Sequence, residues 1–252
     1  MKIVTAIKVL PDDEDIFVAG DRSLDYSKAK PTISTYDKNA VEAAAKLASE
    51  AGASMVAISA SYAKANDTKV KKAVLAIGPE ELFMVADDAL ATADAAATAD
   101  VLAGLLGQVG EYDLVVCGDG SADMYAGQVD VQLAAKLGVP CINKVTAMKL
   151  EGDVLVVERT LETEVEEIEV PLPAVVSVSP ECAEARIAGM KDILAAGKKP
   201  ATIQDLAAAG IAMTETVEVS EIKAPEPTPR KCQIFEEGDI DAFIDAVAAA
   251  IK

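Results

Sequence analysis

The most constraining feature of this sequence is an alternation, through its first two thirds, of short apolar runs with alanine-rich segments of helical periodicity. Such alternation is typical of α/β proteins, and we predict a mostly parallel twisted sheet with helices on both faces, a Rossmann-like architecture. The predicted strands are residues 2–10, 54–59, 81–85 and 113–117. The predicted helices between them are residues 38–50, 68–77 and 93–107, in right-handed crossovers.

After Pro140 the pattern changes to that of antiparallel strands. The predicted strands are residues 145–150, 154–159 and 164–170. The first two flank Glu151-Gly152-Asp153, which predicts a hairpin turn. The unbroken apolar run after Pro173 suits a buried strand. We therefore predict a hairpin extension of antiparallel strands beside the parallel sheet.

The last stretch, residues 221–252, is predicted to be an arm separate from an α/β nucleotide-binding domain at 1–220. Residues 223–229 carry three prolines at alternate positions and must be extended. Asp239 is predicted to cap a terminal helix with one apolar stripe. The stripe comprises Ile240, Phe243, Ile244, Val247, Ala248 and Ile251. It needs a covering surface, either on the chain's own domain or on a separate subunit.

Composition narrows the function. The 252 residues include 23 Lys plus Arg against 42 Asp plus Glu, a formal net charge of −19. This charge repels a phosphate backbone, so nucleic acid is excluded as a partner. The chain has no His, which removes the usual general base and the usual zinc ligand. We expect no metal site, and any chemistry must come from a cofactor or a partner.

The cysteines and the apolar segments indicate in which cellular environment the protein works. Four cysteines lie far apart without a CxxC pair, which predicts reduced, mostly buried thiols. The longest uncharged stretch, residues 51–63, is shorter than a membrane-spanning helix, and the first residues lack a signal-peptide cleavage pattern. We expect a cytoplasmic protein that makes no membrane contact.

A glycine-rich turn is the best candidate for a ligand site. Residues 115–134 read as a buried strand, a turn and a helix that begins near Gly127. Ligands of parallel α/β sheets bind at the carboxyl ends of strands, and free amides at a helix start bind anions. The turn lacks a GxGxxG pattern, so a tight turn without a ligand is an equal alternative. Residues 6–8 and 59–61 should reach the same rim.

Three acidic residues near this rim could have roles in local structure. Asp37 precedes a helical segment, and we predict that it is the N-cap of that helix. Asp119 and Asp123 lie in the turn, where they could accept hydrogen bonds from ribose hydroxyls or simply stabilise the turn.

Several blocks of the sequence carry a resemblance. Residues 157–176 contain Val-Glu-Arg, then an acidic run, then a Pro-Ala-Val-Val strand. The opening MKIVTAIKVLPD, the segment YDKNAVEAA and the loop CGDGSADMYAGQV accompany it in order. Together they resemble the electron transfer flavoprotein beta subunits over essentially the whole chain. The wording SLDYSKA, GPEELFMV and CGDGSADMYAGQV is closest to the Fix-type beta subunits of carnitine metabolism.

The resemblance implies an adenine nucleotide alpha-hydrolase-like fold and a non-enzymatic role as an electron carrier. It implies a heterodimer with an alpha subunit that holds most of an FAD, and transfer of electrons to or from an acyl-CoA dehydrogenase or reductase. It also implies AMP or a second FAD in the beta subunit. The sequence does not decide between these two nucleotides. Another open alternative is a stand-alone adenine-nucleotide-binding regulatory protein.

The resemblance also assigns roles to individual residues. The nucleotide-binding positions are Ala6, Ser34, Tyr36, Asp37, Ala60, Gly118, Asp123, Met124, Tyr125, Gly127, Gln128, Val129, Gln132, Leu133 and Ala134. Among them, Tyr36 matches an aromatic position beside the flavin of the alpha subunit. The segment that docks the dehydrogenase matches residues 185–191, with Arg186, Ile187 and Met190 as its contacts. The block at residues 92–99 lacks two hydroxyls of the bifurcating subunits, so NADH-driven bifurcation is an open question.

Overall fold

The computed structural model describes residues 1–152, 154–230 and 232–251. The strands are β1 (Lys2–Ile7), β2 (Val9–Pro11), β3 (Phe17–Val18), β4 (Leu24–Asp25), β5 (Pro31–Ile33), β6 (Ser54–Ser61), β7 (Glu81–Ala86), β8 (Leu114–Gly118), β9 (Cys141–Glu151), β10 (Val154–Thr160), β11 (Val165–Val170), β12 (Ala174–Val178) and β13 (Ala201–Gln204). The helices are α1 (Thr35–Ala51), α2 (Thr68–Ile77), α3 (Ala95–Val109), α4 (Val129–Leu137), α5 (Met190–Ala196), α6 (Leu206–Ala209) and α7 (Ile240–Ile251).

A nine-stranded sheet organises the α/β domain. Its strand order is β11, β10, β9, β12, β8, β1, β6, β7, β13. The run from β12 to β13 is parallel throughout, and β9 to β11 are paired antiparallel. This confirms the predicted α/β fold with a hairpin extension. The short strands form two further pairs, β2 with β5 and β3 with β4.

Each face of the sheet packs on its own pair of helices. On one face α1 and α2 bury alanine and branched side chains, including Val41, Leu47 and Val74. On the other, α3 and α4 bury side chains such as Leu105 and Leu133. The central strands are buried on both sides, as their continuous apolar runs require. The sheet therefore has the two helical layers that its sequence pattern predicts.

The first predicted strand is interrupted at Lys8. The Lys8 amide donates to Asp37 Oδ2 at 2.7 Å, and the next amide, of Val9, donates to Ser61 Oγ at 3.0 Å. These side-chain acceptors take the chain out of the main sheet, and β2 then pairs with β5. One strand over 2–10 was therefore a wrong prediction. Asp153 of the predicted hairpin turn lies outside the described residues.

The exposure of the thiols and of the terminal helix corrects two expectations. Cys117 is buried, Cys141 and Cys182 are half-buried and Cys232 is exposed, so the prediction of mostly buried thiols was wrong. Phe243 on the α7 stripe is 51% exposed and meets Phe235, also of the arm, at 5.5 Å between ring centroids. The α/β domain does not cover the stripe, so docking on the chain's own domain was the wrong alternative. Within the described ranges, no helix has the length and apolar character needed to cross a membrane.

Candidate functional site

A cavity of about 270 Å³ lies where the strand connections change direction. From β1 the chain proceeds to β6 and β7 on one side, and it then returns to β8 on the other side. Crevices for ligands form at such switch points, outside the carboxyl ends of the strands. Ile7 and Gly118, at the ends of β1 and β8, both line the cavity. The site predicted from the glycine-rich turn is therefore a real concavity.

Small residues form the wall nearest the sheet. Ala6, Ala60 and Gly118 line the cavity, and none of them has a side chain that fills it. Gly118 is required sterically, because a Cβ there would lie 2.8 Å from Asp37 Oδ1 and 2.9 Å from Tyr36 Cβ. A flat ring can therefore approach the backbone of the central strands closely.

Asp37 connects the two central strands at this point. Its carboxylate accepts from the Lys8 amide at 2.7 Å and from the Gly118 amide at 3.2 Å. Burial raises the pKa of Asp37 to about 7, although both hydrogen bonds and the charge of Lys8 oppose that rise. The N-cap of α1 is Ser34, so the prediction that Asp37 caps this helix was wrong. Asp37 instead holds the ends of β1 and β8 together.

The loop after β8 is held over the cavity by a single cation. Lys8 Nζ lies 2.7 Å from Asp123 Oδ2, and Ser121 Oγ donates to Asp123 Oδ1 at 2.6 Å. Burial alone would raise the pKa of Asp123, but the Lys8 charge and these hydrogen bonds bring it below its usual value. The Ala122 amide donates to buried Ser34 Oγ at 3.3 Å. The loop thus has a defined position relative to α1.

Two tyrosines stand at the open rim. The rings of Tyr36 and Tyr125 are 5.1 Å apart between centroids and tilted by 46°. Tyr125 adopts a left-handed φ of 42°, and its hydroxyl donates to Asp119 Oδ2 at 3.1 Å. A Cβ on Gly120 would overlap the Tyr125 ring, so this glycine permits the ring position. The pair offers an aromatic surface to a partner molecule.

The start of α4 is the candidate element for binding an anion. Gln128 is the N-cap of α4 and makes no side-chain capping bond, and Gln128, Val129 and Asp130 line the cavity. The free amides at a helix start and the helix dipole favour a phosphate. Asp130 in the first turn accepts from Ser177 Oγ at 2.5 Å, which engages one of its oxygens within the core. Any phosphate bound at the start of α4 would therefore lie close to the Asp130 carboxylate.

Asp119 has an unused acceptor. Its Oδ1 is buried and has no hydrogen-bond partner, while Oδ2 accepts from Tyr125. Burial raises the pKa of Asp119. Because Asp119 lines the cavity, this oxygen is available to a donor on a ligand. A ribose hydroxyl is such a donor.

A segment from the C-terminal part of the chain completes the cavity. Ala93, Asp94 and Ala95 at the start of α3 line the cavity, and so do Val217 and Val219. We call residues 214–219 the strap. Asp94 and the strap were not among the predicted site residues, since no local pattern connects positions more than a hundred residues apart.

The sequence of this chain matches a known protein family. A scan against protein-family models matches residues 23–209 to the electron transfer flavoprotein domain. The match spans most of the chain, from the segment before α1 to the end of α6. The chain belongs to the electron transfer flavoprotein family. Electron transfer and association with flavin are thereby supported, as the sequence resemblance predicted.

The predicted nucleotide-binding residues of this electron transfer flavoprotein divide into three groups. Those that line the cavity are Ala6, Asp37, Ala60, Gly118, Met124, Gly127, Gln128 and Val129. Those that surround it or hold its loop are Ser34, Tyr36, Asp123 and Tyr125. Gln132, Leu133 and Ala134 follow on α4, where Leu133 and Ala134 belong to the core and Gln132 donates to Gln128. Most of the predicted set is thus brought together around one cavity.

The predicted docking segment lies on another part of the flavoprotein's surface. Arg186 forms a two-pronged ion pair with Glu42, a buried residue of α1, with Nη2 to Oε1 at 2.8 Å. The Glu42 hydrogen bond and charge raise the pKa of Arg186. Ile187 is 98% exposed and Met190 is 73% exposed. The arginine therefore anchors the segment, and two apolar side chains project from it.

Proposed function

We propose that this chain is the beta subunit of a heterodimeric electron transfer flavoprotein. In this proposal it binds AMP in the switch-point cavity, completes the environment of an FAD held mainly by an alpha subunit, and carries electrons to or from an acyl-CoA dehydrogenase or reductase. The observation that carries the proposal is the cavity itself. It combines small walls, an uncapped helix start and an unpartnered carboxylate oxygen. These are the contacts that an adenine ring, a phosphate and a ribose need.

Size and charge favour AMP over a second FAD. A volume of about 270 Å³ is just below the range of about 300–1,000 Å³ that is usual for ligand pockets. Of the charged side chains that line it, Lys8 is positive and already paired, while Asp94, Asp119 and Asp130 are acidic. Such surroundings disfavour each additional phosphate charge. A ligand with a single phosphate at the start of α4 meets the smallest electrostatic penalty.

The chain's own contribution to electron transfer is to position groups. Bound flavin supplies the redox chemistry, and the protein supplies orientation and electrostatics. Tyr36 and Tyr125 form an aromatic surface at the rim, where they can contact a flavin carried by the partner subunit. The absence of His is compatible with this role, because no proton acceptor of that kind is needed from this chain.

Two exposed apolar surfaces suit the two partners. The α7 stripe follows an extended arm and suits the alpha subunit, since an arm of this kind can reach around a neighbouring subunit. Ile187 and Met190 suit the dehydrogenase or reductase, as the sequence resemblance implies. The net charge of −19 favours basic patches on these partners. A cytoplasmic location stays a prediction of the sequence.

Co-expression with the alpha-type subunit tests the proposal. We expect a yellow heterodimer that releases one FAD and one AMP per heterodimer on denaturation, measured by absorbance and mass spectrometry. Two FAD without AMP would replace AMP by a second flavin and would contradict the assignment of the cavity. A colourless homodimer with bound ATP would contradict the electron-transfer role and indicate the regulatory alternative.

A further inference from the structure

The strap is held to the domain by carboxylates. Asp94 Oδ2 accepts three hydrogen bonds, from the Thr216 amide at 2.6 Å, from Thr216 Oγ1 at 2.7 Å and from the Val217 amide at 2.8 Å. The Thr214 amide donates to Asp100 Oδ2 at 3.0 Å. The other Asp100 oxygen lies 2.6 Å from Lys136 Nζ. The strap is thus attached at the N-cap of α3, Asp94, and at Asp100 within that helix.

Apolar packing contributes little to this attachment. Val217 lines the cavity and yet is 63% exposed, and residues 214–218 are all exposed. Segments with few buried contacts open at low free-energy cost. Charge-assisted hydrogen bonds, which are stronger than neutral ones, are therefore the main restraint on the middle of the strap.

Both ends of the strap have separate anchors. On its N-terminal side, Ile211 packs against α3 so closely that a Cβ on Gly104 would lie 2.7 Å from its side chain. On its C-terminal side, Lys223 forms a bridge with Ser23, and the Ala224 amide donates to the Arg22 carbonyl at 3.0 Å. Release from Asp94 would therefore free a short loop between two fixed points without detaching the arm.

We propose that the strap is a gate over the nucleotide cavity and that Asp94 is the latch that keeps it closed. Ligand enters and leaves when Thr216 and Val217 separate from the Asp94 carboxylate. Asp94 is a positioning residue in this device, since it acts on the ligand through the strap. The identity of the ligand rests on the proposed function, but the gate itself does not.

Cys117 provides a measure of access that needs no ligand. It is buried and lines the same cavity as Val217 and Val219 of the strap. The experiment follows alkylation of each cysteine by a small maleimide in the full-length chain, with peptide mapping by mass spectrometry. Hydrogen exchange of the Thr216 and Val217 amides is measured on the same proteins. Cys182, outside the cavity lining, serves as the internal reference.

Two latch variants and one control separate gating from loss of a helix cap. Asp94→Ala removes the latch and also the cap bond to the Ala97 amide. Thr216→Ala removes one latch bond and leaves that cap intact. Asp67→Ala removes a comparable cap, because the Asp67 carboxylate accepts from two amides of α2. This substitution leaves the bonds between Asp94 and the strap intact.

We expect Cys117 to react at least about tenfold faster in Asp94→Ala and about threefold faster in Thr216→Ala, with no change in Asp67→Ala. The Thr216 and Val217 amides should exchange faster in the same two variants. Unchanged amide exchange in Asp94→Ala would overturn the latch. Faster exchange with unchanged Cys117 labelling, or equal labelling in Asp67→Ala, would overturn the gate.

AMP dissociation from the heterodimer distinguishes the gate from the proposed function. If AMP is the ligand, its dissociation should accelerate in the latch variants in parallel with Cys117 labelling. If the wild-type heterodimer holds no AMP while Cys117 labelling follows the latch, the ligand assignment fails and the gate stands. AMP dissociation that stays constant while Cys117 labelling accelerates would overturn the gate as a control on the ligand.

Discussion

At the scale of single residues, the buried carboxyl of Asp37 makes stability depend on pH. The folded chain keeps the Asp37 proton up to about pH 7, whereas the unfolded chain releases it near the ordinary value of 3.8. The folded state therefore binds more protons between these values. The stabilisation is complete below about pH 4 and is lost as the pH rises towards about 7.

Asp37→Asn tests this dependence, because asparagine resembles the protonated acid and does not titrate. We expect wild type to lose unfolding free energy relative to the variant as the pH rises from 5 to 8. Urea titrations at both values measure the difference. A stability difference between wild type and variant that stays constant from pH 5 to 8 would show that Asp37 is already ionised in the fold at pH 5, and would contradict the raised pKa.

Gly118 tests how closely α1 approaches the end of β8. In Gly118→Ala, the new methyl group meets the Asp37 carboxylate and the Tyr36 side chain at less than 3.0 Å, so we expect a loss of about 1–3 kcal/mol in unfolding free energy. Gly107→Ala is the control, since nothing lies within 4 Å and α3 should gain about 0.5–1 kcal/mol. Urea denaturation measures both, and equal effects would contradict the close approach.

The role of Asp37 could not be predicted from the sequence around it. An acid just before a helical segment has a frequent local role as a cap, and that rule led to the wrong prediction. Its real partners, the amides of Lys8 and Gly118, are 29 and 81 positions away in sequence. Glycine positions in the turn were predictable as turn residues, but their contacts with Tyr36 and Tyr125 arise only from tertiary packing.

At the scale of elements, the segment at residues 185–191 contains both a residue that anchors it and residues that we propose dock a partner. Arg186→Ala leaves Glu42 buried without its partner, so we expect a loss of about 1–3 kcal/mol in unfolding free energy. Met190→Asp and Ile187→Asp change exposed side chains and should leave stability within about 0.5 kcal/mol. These two should instead slow electron transfer to the dehydrogenase.

Stopped-flow reduction of the heterodimer by the acyl-CoA dehydrogenase measures this difference. Release of nucleotide from Met190→Asp would show that Met190 supports the fold. Normal rates in both aspartate variants would remove the segment from the docking surface.

Long periodic elements were predicted well and short ones were not. The helices α1 to α3 and the strands β6 to β8 lie within a few residues of their predicted positions, because continuous apolar runs and helical stripes are local signals. Strand β13 was missed. It has four residues, and its position is set by pairing with β7 over a hundred residues earlier. No window of sequence contains that information.

At the scale of the whole molecule, the α7 stripe should matter for assembly and not for the chain alone. Phe243→Asp places a charge on an exposed stripe that the α/β domain does not cover. We expect unchanged thermal stability of the isolated chain and at least about tenfold weaker binding of the alpha subunit. Asp245→Ala, on the polar side of α7, is the control. Isothermal titration calorimetry measures both, and equal affinities would separate α7 from the interface.

The location of the site was predictable, but its closure was not. A glycine-rich turn after a buried strand, together with the ends of two other strands, indicated the correct rim of the sheet. The strap reaches that rim from residues 214–219, through hydrogen bonds to Asp94 and not through a sequence motif. Contacts of this kind depend on the path of the chain after α6.

The place of β12 in the sheet has a consequence for biosynthesis. This strand follows β8 and β9 in the chain, yet it lies between them and pairs with both. Until Val178 leaves the ribosome, the sheet from β8 to β7 and the antiparallel unit from β9 to β11 have no direct pairing. The nascent chain must therefore hold two unfinished sheet edges until β12 joins them, and unpaired strand edges are prone to aggregation.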